Sequence, residues 1–174
     1  LDVAKSNSIK PTNVLVRIKK FDDDIDIFWD KIKFKYPITC NRTKEYLNWR
    51  YSNHPIIDYL SFKLVVDSEI KGYIIIRIEE FIEDEKEYKI GRIIDFVSYD
   101  EYEEEILRLI INNLKNQNVD LIDFFFSGNF HAQSLLNQGF IEAVEAPYSE
   151  IPMLFSPLSR NRSSITWTVY FDDY

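Results

Sequence analysis

The carboxylate best set for acid–base work is Asp95, an acid inside the apolar run Ile93-Ile94-Asp95-Phe96-Val97. Burial disfavours the charged form of a carboxyl group and raises its pKa toward values useful to a general base, so Asp95 could take a proton from an incoming amine or hydroxyl. The same position suits a strand acid satisfied by the backbone or by an arginine such as Arg50 or Arg92. A second cluster is Trp49, Arg50, Tyr51 and His54. A flat aromatic beside a guanidinium suits stacking on a sugar ring with hydrogen bonds to hydroxyls or a carboxylate. Packing in the core is the other reading of Trp49, and a turn position before Pro55 is the other reading of His54.

Other chemistries lack parts. Ser127-Gly128-Asn129 has no G-x-S-x-G pattern around the serine, and the chain holds 2 histidines in all. Glu79, Glu80, Glu83, Asp84, Glu85 and Glu87 lack the Asp-x-Asp-x-Asp-Gly spacing of a calcium loop and read as a solvated hairpin tip. Cys40 is the 1 cysteine, so it has no internal disulfide partner, and no histidine neighbours it to suggest a metal. It reads as a partly buried thiol with no claim to reactivity.

The elements that must position these residues follow from periodicity. Residues 1–13 are polar and aperiodic and read as a tail or linker. Val14 to Ile18 alternates and predicts a strand, and Asp22, Asp23 and Asp24 open a helix burying Ile25, Phe28, Trp29 and Ile32. Pro37 stops it, and Asn41 or Thr43 caps a second short helix through Leu47 and Arg50. Tyr59 to Val66, the turn Asp67-Ser68, Ile70 to Glu80, a turn at residues 83–85 and Tyr88 to Tyr99 form an antiparallel meander of three strands. Ile106, Leu107, Ile110, Ile111 and Leu114 then fall at helical spacing. Leu121 to Phe126 is a short apolar strand with Phe124, Phe125 and Phe126 as core. A helix with Ala132, Leu135 and Leu136 ends at Gly139, Phe140 to Val144 opens a strand, Pro147, Pro152 and Pro157 punctuate a loop, and Ile165 to Phe171 alternates again.

This order, with Gln138-Gly139-Phe140 at the end of the last helix, resembles the GCN5-related N-acetyltransferase (GNAT) superfamily over residues 14–171. The resemblance implies a mixed α/β (α+β) fold of the acyl-CoA N-acyltransferase type: a central, mostly antiparallel mixed sheet flanked by about four helices, as one domain over residues 14–174. It also implies acetyl transfer from acetyl-CoA to an amine or hydroxyl, with Asp95 as catalytic base. The donor would lie along Phe96, Val97 and Ser98 and beside Asn129, and the acceptor would border Trp49, Arg50, Tyr51 and His54. Tyr46 to Tyr51 followed by His54-Pro55, with Trp167 before Asp172-Asp173, looks like a group of such proteins associated with bacterial surface-polysaccharide genes. Two departures stand out. The stretch Ser98 to Glu105, where the family places a glycine-rich turn for the pyrophosphate, has no glycine and five carboxylates. Leu135 and Leu136 stand where the family often carries a tyrosine. A non-catalytic domain that binds a sugar or a partner domain is therefore the alternative function.

Composition bounds the rest. The 174 residues are 45% hydrophobic and 29% charged, as in an ordinary globular domain, and Arg77 and Arg108 break the longest apolar stretches short of a membrane span. Net charge is −8. Residues 1–50 carry 11 basic against 7 acidic side chains and the remainder 10 against 22. An acidic bulk disfavours nucleic acid, for which Lys31, Lys33 and Lys35 are too small a patch. The expectations are a cytoplasmic protein without metal, a small-molecule or sugar acceptor, and, from the start at Leu1, a piece of a longer chain whose second domain is a partner.

Overall fold

Each predicted element forms in the computed structural model, which describes residues 13–37, 39–83, 85–127, 130–142 and 167–172. The strand β1 (Val14–Ile18) leads to α1 (Asp24–Ile32), which tightens into a 3-10 turn over Lys33–Lys35. Helix α2 (Lys44–Leu47) starts at Thr43, whose hydroxyl accepts from the Tyr46 backbone N–H, and widens into a π-helical turn over Asn48–Ser52. Then follow β2 (Leu60–Val66), β3 (Glu69–Glu83), β4 (Lys86–Ser98), α3 (Glu103–Lys115), β5 (Leu121–Ser127), α4 (Ala132–Asn137), β6 (Phe140–Glu142) and β7 (Trp167–Asp172). Val144, the three prolines of the predicted loop and Ile165 lie outside the described residues.

The seven strands form one sheet in the order β1-β2-β3-β4-β5-β7-β6. Every neighbouring pair is antiparallel except β4 with β5. Asp67 and Ser68 both have positive φ, at 49° and 64°, the conformation of a two-residue hairpin turn whose twist matches its strands.

Alternation along β3 divides the core between two faces. Ile74 and Ile76 point to one side, joining Ile106, Leu107, Ile110 and Leu114 of α3 and Leu135 of α4. Tyr73 and Ile75 point to the other, under Ile25, Phe28 and Trp29 of α1 and Leu47 of α2. Gly72 sets how closely α3 approaches: a Cβ there would lie 2.5 Å from both Ile106 Cδ1 and Ser98 Cβ. Among the described residues no helix is long and apolar enough to cross a membrane, and no group of three or more His, Cys, Asp or Glu could hold a metal.

A cleft where β4 leaves β5

Strand β4 carries one residue more than β3 at a single point. Ile93 pairs with Ile76 and Asp95 with Ile75, so Ile94 is a bulge. A bulge bends and twists its strand. The parallel pairing of β4 with β5 ends one residue before it, at Ile93↔Phe124. Beyond that point the strands part around a cleft of about 240 Å³ lined by Tyr36, Arg42, Ile94, Asp95, Phe125 and His131, among others.

Asp95 is 6% exposed and is the most heavily bonded acid of the cleft. Arg42 Nε donates to both carboxylate oxygens, at 3.0 and 3.1 Å. The hydroxyls of Tyr73 and Tyr51 donate to Oδ2 at 3.1 and 3.4 Å. Among the described residues Oδ1 therefore has the guanidinium as its one partner and keeps capacity for another donor. The partner of Asp95 is thus Arg42 rather than Arg50 or Arg92. Burial would lower the Arg42 pKa, but Asp95 and the phenols outweigh it and raise it. Burial and the nearby Asp95 charge raise both Tyr51 and Tyr73, so both phenols stay protonated as donors. Arg42 also bonds Thr39 and lies 5.5 Å over the Trp29 ring. Burial pushes the Tyr36 hydroxyl up to about 12, with Lys35 opposing.

On the other side of the cleft, His131 sits just before α4 with φ of 66°, a left-handed conformation uncommon outside glycine. Its Nε2 lies 3.1 Å from the Phe96 carbonyl oxygen and its Nδ1 2.8 Å from Glu103. Glu103 opens α3, is 5% exposed, and also accepts from Lys35 Nζ and Ser134 Oγ at 2.8 Å each. Burial alone would raise this carboxyl, but His131, Lys35 and Ser134 overcome it and hold it at about 2. The N-terminus of α3 has no side-chain cap. This acid reaches sideways to α4 rather than back onto the helix.

The remaining predicted site residues scatter. Phe96 and Val97 are core side chains, one on each face, and Ser98 is buried with its hydroxyl donating to the Tyr99 carbonyl. These three offer a ligand backbone rather than side chains, and Asn129 lies outside the described residues. Trp49 is 69% exposed beside Tyr46 and does not pack in the core. Arg50 lies over the Tyr51 ring. Tyr51 is buried and reaches Asp95, whereas His54 lines a separate groove on the β1 side of Tyr51. Cys40 is exposed rather than partly buried, and Phe125 is 39% exposed while Phe124 and Phe126 are core. Arg42, Tyr36 and His131 were missed in the sequence, since their bonded or ring neighbours in the cleft lie far along the chain, and Glu103 stood out there only as one of five acids at the start of α3.

The arrangement of elements has counterparts among solved structures. The GNAT domain of S. lividans PAT superposes with a TM-score of 0.58 at 10% identity, covering 93% of this chain and 90% of that one. A GNAT family acetyltransferase from Elizabethkingia anophelis with acetyl-CoA bound gives 0.54 at 13% identity, over 95% of this chain and 100% of that one. NAA60 of Arabidopsis thaliana in complex with a bisubstrate analogue gives 0.53 at 12% identity, over 91% and 96%. No family model matches the sequence, and no curated protein matches it. The fold is that of the GNAT acyl-CoA N-acyltransferases, and at these identities the likeness is one of fold.

Proposed function

We propose that this chain transfers an acetyl group from a thioester to an amine or hydroxyl of a small polar acceptor, in the cleft where β4 leaves β5. The observation that carries the reading is the Ile94 bulge, which opens the sheet beside a buried carboxylate with a free acceptor position. Asp95 Oδ1 receives the hydrogen of the attacking N–H or O–H and takes up its proton as the new C–N or C–O bond forms and the thioester C–S bond breaks. The thiolate leaves as the free thiol after protonation by water, while Arg42 and the two phenols fix the carboxylate. Tyr36, protonated throughout the physiological range, is a further donor in the cleft. The acceptor we favour is a sugar of a surface-polysaccharide precursor, on the strength of the Tyr46 to Tyr51 and His54-Pro55 pattern, in a cytoplasmic setting.

The thioester arm of acetyl-CoA fits an opening of this size, and Phe96, Val97 and Ser98 would meet it with backbone groups. Its diphosphate does not fit the start of α3. What supports a degenerate CoA turn there is the run Asp100, Glu101, Glu103, Glu104 and Glu105 without a glycine, whose charges oppose a phosphate. The donor headgroup is thus held elsewhere or contributes nothing. A second reading, a non-catalytic domain that binds a sugar or another domain of a longer parent chain, is favoured by one contact: His131 already occupies the Phe96 carbonyl.

Calorimetric titration separates the readings. Acetyl-CoA and acetyl-pantetheine are expected to bind with affinities within a few fold of each other. Asp95→Asn should keep that binding and slow thiol release, with glucosamine as acceptor, by roughly 10²–10⁴-fold. Absence of binding by either thioester at millimolar concentration overturns the acyl-transfer reading in favour of the second one.

A further inference from the structure

A basic concavity that the cleft does not use is a groove of about 460 Å³ at the β1 edge of the sheet, between the end of β1 and the loop from α2 to β2. It is lined by Arg17 and Lys19 from the β1 end and by Ser52, His54, Asp58 and Tyr59 from the α2 side. We propose that this groove binds a small phosphorylated polyhydroxy compound, with Arg17 and Lys19 on the phosphate and His54, Asp58 and Ser52 on the hydroxyls.

Unsatisfied positive charge is the first argument. Lys31, Lys33, Lys35, Arg42, Lys44 and Lys63 are all in ion pairs. Among the described residues no carboxylate reaches Arg17 or Lys19, although the chain as a whole carries −8. Two free cations at the mouth of one concavity attract an anion, and a guanidinium matches phosphate oxygens two at a time.

The second argument is a fixed donor. Nδ1 of His54 accepts the backbone N–H groups of Ile57 at 2.9 Å and Ile56 at 3.3 Å. That leaves the ring hydrogen on Nε2, a donor within the groove lining. The ring is held edge-on to Tyr59 at 5.6 Å, and Tyr59 edge-on to Tyr51 at 5.2 Å, so the wall is rigid. Asp58 and Ser52 then supply acceptors that an inorganic anion would leave unused but a polyol would fill. A neutral polyol, in turn, leaves both cations unmatched, so the two halves together select a phosphorylated one.

The inference does not depend on acyl transfer, and its test contains no thioester. The whole chain is titrated calorimetrically with glucose 6-phosphate, glucose and inorganic phosphate. Glucose 6-phosphate should bind saturably, at least about tenfold tighter than either of the others. Arg17→Ala/Lys19→Ala should weaken it by roughly tenfold or more with an unchanged melting temperature, since both side chains are exposed. Asp58→Asn should weaken glucose 6-phosphate and leave inorganic phosphate as it was. Absence of saturable binding at 10 mM (about a hundredfold above a tight metabolite affinity), or binding that survives the double substitution, overturns the proposal.

Discussion

Asp95 is a structural anchor of the cleft in which acyl transfer is proposed. A carboxylate at 6% exposure needs matched donors, and Arg42 Nε, shared between both oxygens, with two phenols supplies them. Removing one member strands the others. Arg42→Met should cost roughly 3–5 kcal/mol, read as a lower urea midpoint, because Asp95 then loses its counter-charge in the interior. Asp95→Asn/Arg42→Met together should cost less than the sum of the single changes, and strict additivity in the cycle would refute the coupling. The apolar setting of Asp95 was legible in the sequence, since Ile93 to Val97 is an apolar run around one acid. Its partner was not. Arg42 lies 53 residues away in a polar loop, and nothing local distinguishes it from Arg50 or Arg92. The core reading of Trp49 failed for a related reason: helical spacing does not say which face of so short a helix and its π-helical turn meets the core, and here Leu47 and Tyr51 do.

At the scale of elements, the bulge at Ile94 and the glycine at position 72 set where helices and strands part or meet. Without Ile94, Ile93 would still face Ile76 and Asp95 would still face Ile75, so both faces of β4 would keep their side chains. Deleting Ile94 should therefore leave the melting temperature within a few degrees while straightening β4 and closing the cleft. Calorimetry should then detect no thioester binding by a variant whose circular dichroism is unchanged. Gly72→Ala is the opposite experiment. The added methyl meets Ile106 Cδ1 and Ser98 Cβ at 2.5 Å and the Val97 carbonyl oxygen at 2.9 Å, so α3 must lift from the sheet at a cost of about 1–3 kcal/mol. Element order was readable throughout, because helices and strands here keep clean periods of 3.6 and 2. The bulge was not, because an apolar run around one acid looks the same with and without an extra residue.

Over the whole molecule, two buried acids tie stability to pH in opposite senses. Glu103 is held down at about 2 against an unfolded value of 4.5, burial opposing and His131, Lys35 and Ser134 prevailing. Its contribution is complete above pH 4.5 and is lost as pH falls through about 2. Asp123 is the reverse. It is 2% exposed, its Oδ1 finds no donor among the described residues, and Arg92 Nε stands 3.7 Å from Oδ2. Burial pushes it up to about 6 from 3.8, with Arg92 opposing and Glu79 assisting. The folded state therefore holds a proton that the unfolded chain has released, so stability is greatest below pH 3.8 and declines as pH rises through about 6. Each shift corresponds to on the order of 3 kcal/mol, a large share of a domain's total. Melting temperature followed from about pH 2 to about pH 8, a range that contains both transitions, should gain from Asp123→Asn progressively between about pH 4 and 6 and by a constant amount above. Glu103→Gln should lower it at neutral pH and converge with the unmodified chain toward pH 2. A gain from Asp123→Asn that is equal at every pH would show that its carboxyl does not titrate in the interior, and would assign the effect to packing alone.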